Sequence, residues 1–283
     1  MTMSERGHWQ LVEGRPHPRL RGIVYGYRGF NLRLAEPVRR LEFPVPFVNL
    51  TVTWRGSLQL SAAAGRSARL GQLVAGMSTG VVHAEHDGDL EGVDVRLWPL
   101  GGYRLFDGYA TGGGSHILTL ADIMGADADR LTARLADCPD WAGRFRLLDA
   151  VLLRRAAAGR EPCPRTAAVW QRVQRDLSVP VAALAADAAW SERHLQSRFR
   201  DHFGMTPKAA QRVARLQRAL RALDAGLPAS RVAHLARYSD QAHLIREVKA
   251  MTGLTPAALT RHRAASWRPT DRSQTEITSV FLA

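Results

Sequence analysis

The sequence predicts an α+β protein. A β-rich N-terminal sandwich or barrel with flanking helices is followed by an all-α C-terminal domain of about seven helices, which contains two helix-turn-helix units. Apolar and polar residues alternate with a period of two from Pro16 to about Trp98, and the period lengthens to that of a helix after Pro99. A helical segment near the C-terminus also occurs twice, and 283 residues suffice for two domains that each bury a core.

Short strands are expected through most of the first hundred residues. Asp87-Gly88, within the segment His86–Gly92, predicts a hairpin connection. The clearest strand is expected to be half-buried, because apolar and polar residues alternate over Val48, Asn49, Leu50, Thr51, Val52, Thr53 and Trp54. Shorter strands are predicted at Ser57–Ser61, Leu70–Ala75, Gly80–Glu85 and Gly92–Trp98. Strands of this length and spacing favour a small sandwich or barrel.

Helical spacing follows the strands. A short helix is predicted at Leu100–Tyr109, a helix start at Thr119–Asp122, and longer helices at Ala128–Ala136 and Trp141–Ala158. The segment Gly159–Arg165 contains two prolines and is the clearest domain boundary. We therefore predict a β-rich domain at residues 1–160, a helical domain at residues 161–265 and a disordered tail at residues 266–283.

The stretch Ser191–Ala210 recurs 49 residues later as Asp240–Leu259. In each copy a helix ends at a glycine, a threonine caps the next helix, and a proline occupies the first helical position. A repeat at a fixed offset indicates one supersecondary unit built twice. The identical pairs are His194/His243, Leu195/Leu244, Gly204/Gly253, Thr206/Thr255, Pro207/Pro256 and Ala209/Ala258.

Each copy supplies the second helix of a predicted helix-turn-helix. The first unit is Val181–Asp187 with Ser191–Phe203, the second is Ala229–Arg237 with Asp240–Thr252, and the helix Pro207–Leu223 connects them. Ser191 and Asp240 are expected to cap the second helices. The inward residues are Leu195, Phe199, Leu244 and Val248. The outward residues are Arg193, Gln196, Ser197 and Arg200 in the first unit and Gln241, Ala242, Arg246 and Lys249 in the second.

The charge distribution indicates a polyanionic partner. The net charge is +13, and residues 161–265 hold 17 Lys and Arg against 8 Asp and Glu. Arginine, glutamine and serine on the outward faces have the chemistry to contact phosphates and base edges. Two recognition helices of nearly parallel aim can enter successive major grooves, which lie about 34 Å apart. Double-stranded DNA is therefore the predicted partner.

The region 166–263 resembles the DNA-binding domain of the AraC/XylS family of bacterial transcriptional regulators. The resemblance rests on the two units, the connecting helix and the two G-x-T-P corners, all in order. The family usually has Gly in each helix-turn-helix corner, where this chain has Ala189 and Arg237, and Phe where it has Val248. Leu73–Leu105 and Trp141–Leu152 look like the N-terminal region of an actinobacterial-type subgroup. The resemblance implies a ligand-sensing or dimerising N-terminal domain, with RNA polymerase and a second copy of the chain left open as partners.

Other chemistries have weaker support. His83, Glu85 and His86 suggest a metal site, but on a strand His86 faces away from the other two, so a solvated edge is favoured and no metal is expected. A nucleophile elbow, a P-loop and a dinucleotide-binding motif are all missing, so we expect no catalytic residue and no cofactor. Phe47, Trp54, Trp98 and Tyr103 are candidates for an apolar effector pocket.

The composition limits the remaining classes. Cys138 and Cys163 are too few for a disulfide scaffold, and no segment has the length and hydropathy of a membrane span or a signal peptide. A cytoplasmic protein without a membrane partner is expected. Two alternatives stay open. One is an enzyme or sensor that binds a metal or small molecule and has a helical domain that no longer reads DNA. The other is a pure interaction protein.

Overall fold

The structure is a computed structural model that describes residues 2–4, 7–62, 67–106, 117–265 and 279–282. The strands in chain order are β1 (Thr2–Ser4), β2 (Gly7–Gly14), β3 (Val24–Leu34), β4 (Val38–Glu42), β5 (Val48–Arg55), β6 (Leu58–Ala62), β7 (Ser67–Leu70), β8 (Gln72–Ala75), β9 (Val82–His86), β10 (Asp89–Leu97), β11 (Ile117–Thr119) and β12 (Ser279–Leu282). They form two antiparallel sheets, in the orders β1-β2-β3-β10-β5-β8-β11 and β12-β4-β9-β6-β7.

The N-terminal domain has three layers: helices, the seven-stranded sheet and the five-stranded sheet. Its helices are α1 (Pro99–Leu105), α2 (Leu120–Met124), α3 (Asp127–Asp137) and α4 (Trp141–Ala158). Leu50, Val93 and Val95 on one face of the larger sheet pack against α3 and α4. Phe30 and Leu73 on its other face pack against the smaller sheet. The predicted sandwich with flanking helices is thus confirmed.

Two predictions about the strands were wrong. Strand β5 is not half-buried, because Thr51 and Thr53, both under 5% exposed, lie between the two sheets while the alternate residues face the helices. The turn at Asp87-Gly88 does not connect a hairpin, because β9 belongs to the smaller sheet and β10 to the larger one. The turn is as tight as predicted, with Gly88 at φ +102°, but it carries the chain from one sheet to the other.

The C-terminal domain contains seven helices within residues 164–265, as predicted. They are α5 (Pro164–Arg175), α6 (Val181–Asp187), α7 (Glu192–Phe203), α8 (Pro207–Asp224), α9 (Ala229–Leu235), α10 (Gln241–Thr252) and α11 (Pro256–Ala265). No helix in the part of the chain that the structure describes is long and apolar enough to cross a membrane.

The end of the chain departs from the predicted disorder. Ser279–Leu282 form β12, which pairs antiparallel with β4 at the edge of the five-stranded sheet. The predicted disorder is therefore wrong for these four residues. Val280 and Phe281 have high strand propensity, and an unpaired sheet edge offers backbone partners to such a segment.

A continuous apolar core joins the two domains. Leu41, Phe43 and Met77 of the N-terminal domain belong to the same buried cluster as the core of the helical domain. The side-chain amide of Gln217 in α8, 1% exposed, donates a hydrogen bond to the carbonyl of Pro44 at 2.8 Å. Tyr103 of α1 stacks on His202 of α7, with ring centroids 4.2 Å apart and planes at 7°. The first recognition helix is therefore packed directly on the N-terminal domain.

Candidate nucleic-acid interface

The first helix-turn-helix consists of α6 and α7, joined by a corner at Ala189. Ala189 has φ 53°, in the left-handed region, and its N–H donates to the carbonyl of Ala186. The N–H of Trp190 donates to the carbonyl of Ala185, which closes the turn. The hydroxyl of Ser191 then accepts the N–H of His194 at 3.2 Å, so Ser191 caps α7 as predicted.

The second unit, α9 and α10, repeats this geometry. Arg237 has φ 61° and donates its N–H to the carbonyl of His234, and Tyr238 donates to Ala233. One additional residue follows in the turn before Asp240, whose carboxylate accepts the N–H of His243 at 2.6 Å. The two corners therefore adopt the same backbone conformation in spite of having different residues.

The repeated histidines pack against aromatic rings in the turns. His194 lies edge-on to Trp190 with centroids 5.0 Å apart, and His243 lies edge-on to Tyr238 at 5.3 Å. These edge-on contacts give both histidines a packing role in the turns. The aromatic partners were not anticipated, because Trp190 and Tyr238 fall outside the gapless alignment of the repeats.

The inward and outward faces of both recognition helices lie as predicted. Leu195, Phe199, Leu244 and Val248 are 0% exposed. Gln196 is half-buried at the edge of its face. The exposed members of the predicted DNA-reading set are Arg193, Ser197, Arg200, Gln241, Ala242, Arg246 and Lys249. Each recognition helix thus presents polar and cationic side chains on the side opposite to its core.

The helix α8 holds the second unit through charged and aromatic contacts. The guanidinium of Arg212 donates to both carboxylate oxygens of Glu247 in α10, at 3.0 and 3.2 Å. The guanidinium of Arg215 lies 5.7 Å from the centre of the Tyr238 ring. Burial raises the pKa of Tyr238 to about 12, and the positive charge of Arg215 partly opposes this effect. Arg212 and Arg215 of α8 therefore stabilise the arrangement of helices.

The two caps differ in charge. Asp240 is exposed, and the backbone N–H of His243 is the main cause that holds the pKa of its carboxyl below the ordinary value of 3.8. The carboxylate also complements the positive N-terminal end of the α10 dipole. Ser191 fills the corresponding position of α7 with a group that does not titrate in this range.

The four aromatic residues predicted to line one effector pocket are not brought together. Trp54 faces α4, with its ring 5.9 Å from that of Trp141. Trp98 is 42% exposed and packs edge-on against Tyr25. Tyr103 lies at the domain junction, and only Phe47 lines the cavity between the sheets. The four residues lie in different elements, and the local pattern of a sequence does not specify which elements distant in the chain line the same cavity.

The cavity between the two sheets has a volume of about 170 Å³ and a mixed lining. Its apolar part includes Phe43, Phe47, Leu58 and Leu60. Its polar part includes Arg28, Arg40, Glu42, Asn49, Thr51, Asp94 and Arg96. These polar residues were missed, although the charged positions inside apolar strands β3, β4 and β10 are a signal that could have indicated them.

Hydrogen bonds organise the polar wall. The carboxylate of Asp94 accepts from Thr51 at 2.7 Å and from Asn49 at 3.3 Å. The guanidinium of Arg96 donates to Glu13 at 2.7 Å, but its buried Nε has no hydrogen-bond partner among the described residues. The guanidinium of Arg96 also lies 5.4 Å from the centre of the Tyr25 ring, so an aromatic face contacts this buried charge.

Glu42 lines this cavity and forms an ion pair with Arg40. Burial is the main cause that raises its pKa, against the opposing charge of Arg40.

The suggested metal cluster does not assemble. His83 is exposed while His86 is buried, since they lie on opposite faces of β9. Within the described ranges, no group of three His, Cys, Asp or Glu side chains has the geometry to hold a metal ion. His116, a further histidine that could add a ligand to such a cluster, and the loop predicted at Gly112–Gly114 lie outside the described residues.

Comparison with known proteins identifies the helical domain. Residues 184–262 match a family model described as a helix-turn-helix domain, and none of the curated proteins compared matches the chain. The C-terminal part of this chain is a helix-turn-helix DNA-binding domain of the AraC type.

Three solved structures are similar to the chain at low identity. ToxT from Vibrio cholerae is 8% identical, with a TM-score of 0.48, over 91% of this chain and 98% of that protein. The C-terminal domain of AraT, a response regulator from Geobacillus stearothermophilus, is 18% identical, with a TM-score of 0.35, over 40% and 97%. The AraC-like transcriptional activator CuxR is 13% identical, with a TM-score of 0.26, over 72% and 84%. Because these TM-scores lie below 0.5, the identification of the helical domain rests on the match of residues 184–262 to the family model.

Proposed function

We propose that this chain is a transcriptional regulator that reads two successive major grooves with α7 and α10. In this proposal residues 1–160 form the sensor domain and residues 161–265 the reader. The observation that carries the proposal is the pair of helix-turn-helix units with equivalent corners, equivalent caps and exposed cationic faces. Equivalent construction is what simultaneous binding to a regular duplex requires.

The contacts divide by chemistry. We assign base reading to Arg193, Gln196, Gln241 and Arg246, because they have long side chains with donors that match the major-groove edges. Ser197, Arg200 and Lys249 are assigned to phosphates or to either target, and Ala242 to apolar contact with a thymine methyl group. The surplus of cationic residues supplies the non-specific attraction to the duplex.

Selection from a pool of random duplexes tests this function. The purified full-length chain should enrich a motif with two conserved blocks, and a double variant Arg193→Ala/Arg246→Ala should enrich no motif. Lys208→Ala, an exposed cation at the start of α8, is a control that should preserve the motif. Enrichment of no motif by the wild-type chain at moderate ionic strength would contradict the proposal.

We further propose that the cavity between the sheets takes a small-molecule effector. Its polar wall would contact a polar group through Arg96 and Asn49, while Phe47 and Leu58 would contact an apolar part. The mixed lining, with few polar groups converging on an apolar space, is typical of ligand sites.

Ala75→Leu would place additional volume in this cavity. A thermal-shift screen of a metabolite pool should then find ligands that stabilise the wild-type chain and not this variant. Ala68→Leu, at an exposed position of β7, should behave as the wild type. If Ala75→Leu responds to every hit as the wild type does, the effector site lies elsewhere.

A further inference from the structure

Strand β12 forms a second contact between the two domains, in addition to their shared apolar core. Strand β12 belongs to the sensor's five-stranded sheet, although in sequence it follows α11, the last helix of the reader. It pairs with β4 over four positions, from Ser279 opposite Glu42 to Leu282 opposite Arg39. Helix α11 lies beside β12. The strand therefore contacts the last helix of one domain while it is paired with a strand of the other.

The strand that receives β12 has two functional faces. Arg40 and Glu42 of β4 line the cavity. Leu41, on the alternate face of β4, belongs to the core shared with the helical domain. The residues directly after β4 continue this contact, because the carbonyl of Pro44 accepts the buried amide of Gln217. Any movement of β4 would therefore change both the wall of the cavity and the contact with the helical domain.

The first residue of β12 also forms part of the cavity wall. Ser279 lines the cavity and is the register partner of Glu42. Without β12, the backbone of β4 would be an open edge of the sheet, beside the cavity. A strand of only four residues at a sheet edge is also the kind of element that opens at low free-energy cost.

We propose that β12 is a gate strand, which closes the edge of the cavity and must leave β4 for a ligand to enter. Because the gate strand lies beside α11, its release removes a contact with the helical domain. The occupied cavity and the bound duplex are thereby linked through one strand. By thermodynamic linkage, DNA must then affect opening of the gate as much as opening affects DNA binding. Only the link between the gate and DNA binding rests on the proposed function.

The rate at which a thiol reagent reaches the cavity tests the gate. In a Cys138→Ser/Cys163→Ser background, Leu60→Cys places a thiol in the cavity wall, where Leu60 is 7% exposed. Deletion of residues 279–283 should raise the rate of its modification by N-ethylmaleimide about tenfold, since opening no longer precedes reaction. Deletion of Ala283 alone leaves β12 whole and should not change the rate. Should Leu60→Cys fail to fold, Ala75→Cys serves as the cavity thiol.

A second thiol separates gate opening from general loosening. Val93→Cys lies in the core between the larger sheet and the helices, where Val93 is 0% exposed. Its rate should stay unchanged in the truncated chain. The gate proposal would be overturned if the truncation accelerated modification of both thiols. It would also be overturned if the cavity thiol of the truncated chain reacted within about twofold of its rate in the full chain.

The DNA arm uses a duplex from the selection experiment. Adding this duplex should change the cavity-thiol rate of the full chain by about fivefold or more and leave the truncated chain unaffected. An equal effect on both chains would overturn the link while preserving the gate. If no duplex is selected, the proposed function fails, and the truncation experiment still decides whether β12 closes the cavity.

Discussion

Ala189 and Arg237 occupy corresponding corners of the two helix-turn-helix units, and both have positive φ. A side chain in the left-handed region costs roughly 1–2 kcal/mol through the clash of Cβ with the following carbonyl oxygen. The usual glycine of the family would remove this clash. A residue other than glycine could loosen such a corner or make it turn differently, yet both corners keep the same left-handed backbone.

Ala189→Gly and Arg237→Gly should therefore each raise the free energy of unfolding by about 0.5–1 kcal/mol, after subtraction of the larger entropy of glycine in the unfolded chain. Chemical denaturation measures the effect. Ala186→Gly, on the exposed side of α6, is the matched control and should lower the free energy of unfolding by up to about 1 kcal/mol. Destabilisation by the corner glycines would mean that the corners carry no strain.

Arg246 and Lys249 lie on the same exposed face of α10 but are expected to act differently. Arg246→Ala should cost about 1–3 kcal/mol of binding free energy and relax the preference at one base position. Lys249→Ala should weaken binding to all duplexes alike and reduce the slope of log affinity against log salt by about one. Titrations with a set of single-base variants distinguish the two. A uniform loss for Arg246→Ala would reassign it to phosphate.

At the scale of single elements, the caps make the second recognition helix sensitive to acid. The folded pKa of Asp240 is depressed, so its stabilising effect is fully present above 3.8 and is lost as the pH falls through the lower folded value. Asp240→Ser, which copies the cap of α7, should flatten this part of the pH profile of stability. Unfolding midpoints in denaturant across the acid range provide the measurement. An unchanged profile would show that the cap does not form in solution.

The ion pair between Arg212 of α8 and Glu247 of α10 should fix the position of α10. Glu247→Gln keeps the shape of the side chain but removes the charge that Arg212 contacts. Since both groups are partly exposed, we expect a loss of stability of only about 0.5–1 kcal/mol. The clearer effect should be reduced discrimination at the half-site bound by α10, measured with half-site variants. Glu85→Gln, at an exposed ion pair with Arg39, should change neither quantity.

The sequence predicted helices far better than it predicted sheet pairing. Trp141–Ala158 and Val181–Asp187 have the expected bounds, because caps, prolines and the period of 3.6 are local signals. The hairpin at Asp87-Gly88 failed, because the choice between two sheets depends on contacts distant in sequence. The exposed faces of α7 and α10 could be read from the sequence because they follow the local helical period, while the cavity and the gate strand depend on contacts distant in sequence and could not.

At the scale of the whole molecule, sensor and reader are not independent bodies joined by a linker. The core cluster continues from Leu41 and Phe43 into the helical domain, and His202 of the first recognition helix stacks on Tyr103. Helix α7 is thus packed on the N-terminal domain. Helix α11, which contacts α10, lies beside the gate strand. An effector bound in the cavity would therefore act on α7 and on α10 through different contacts.

The central claim is that α7 and α10 read one duplex together. Hydroxyl-radical footprinting and single-base variation of a selected duplex test it most directly. Two blocks of protected, sequence-sensitive positions should appear on one face of the duplex, about 10–10.5 base pairs apart. Arg193→Ala should affect one block and Arg246→Ala the other. A single block, or the same positions lost in both variants, would contradict paired reading.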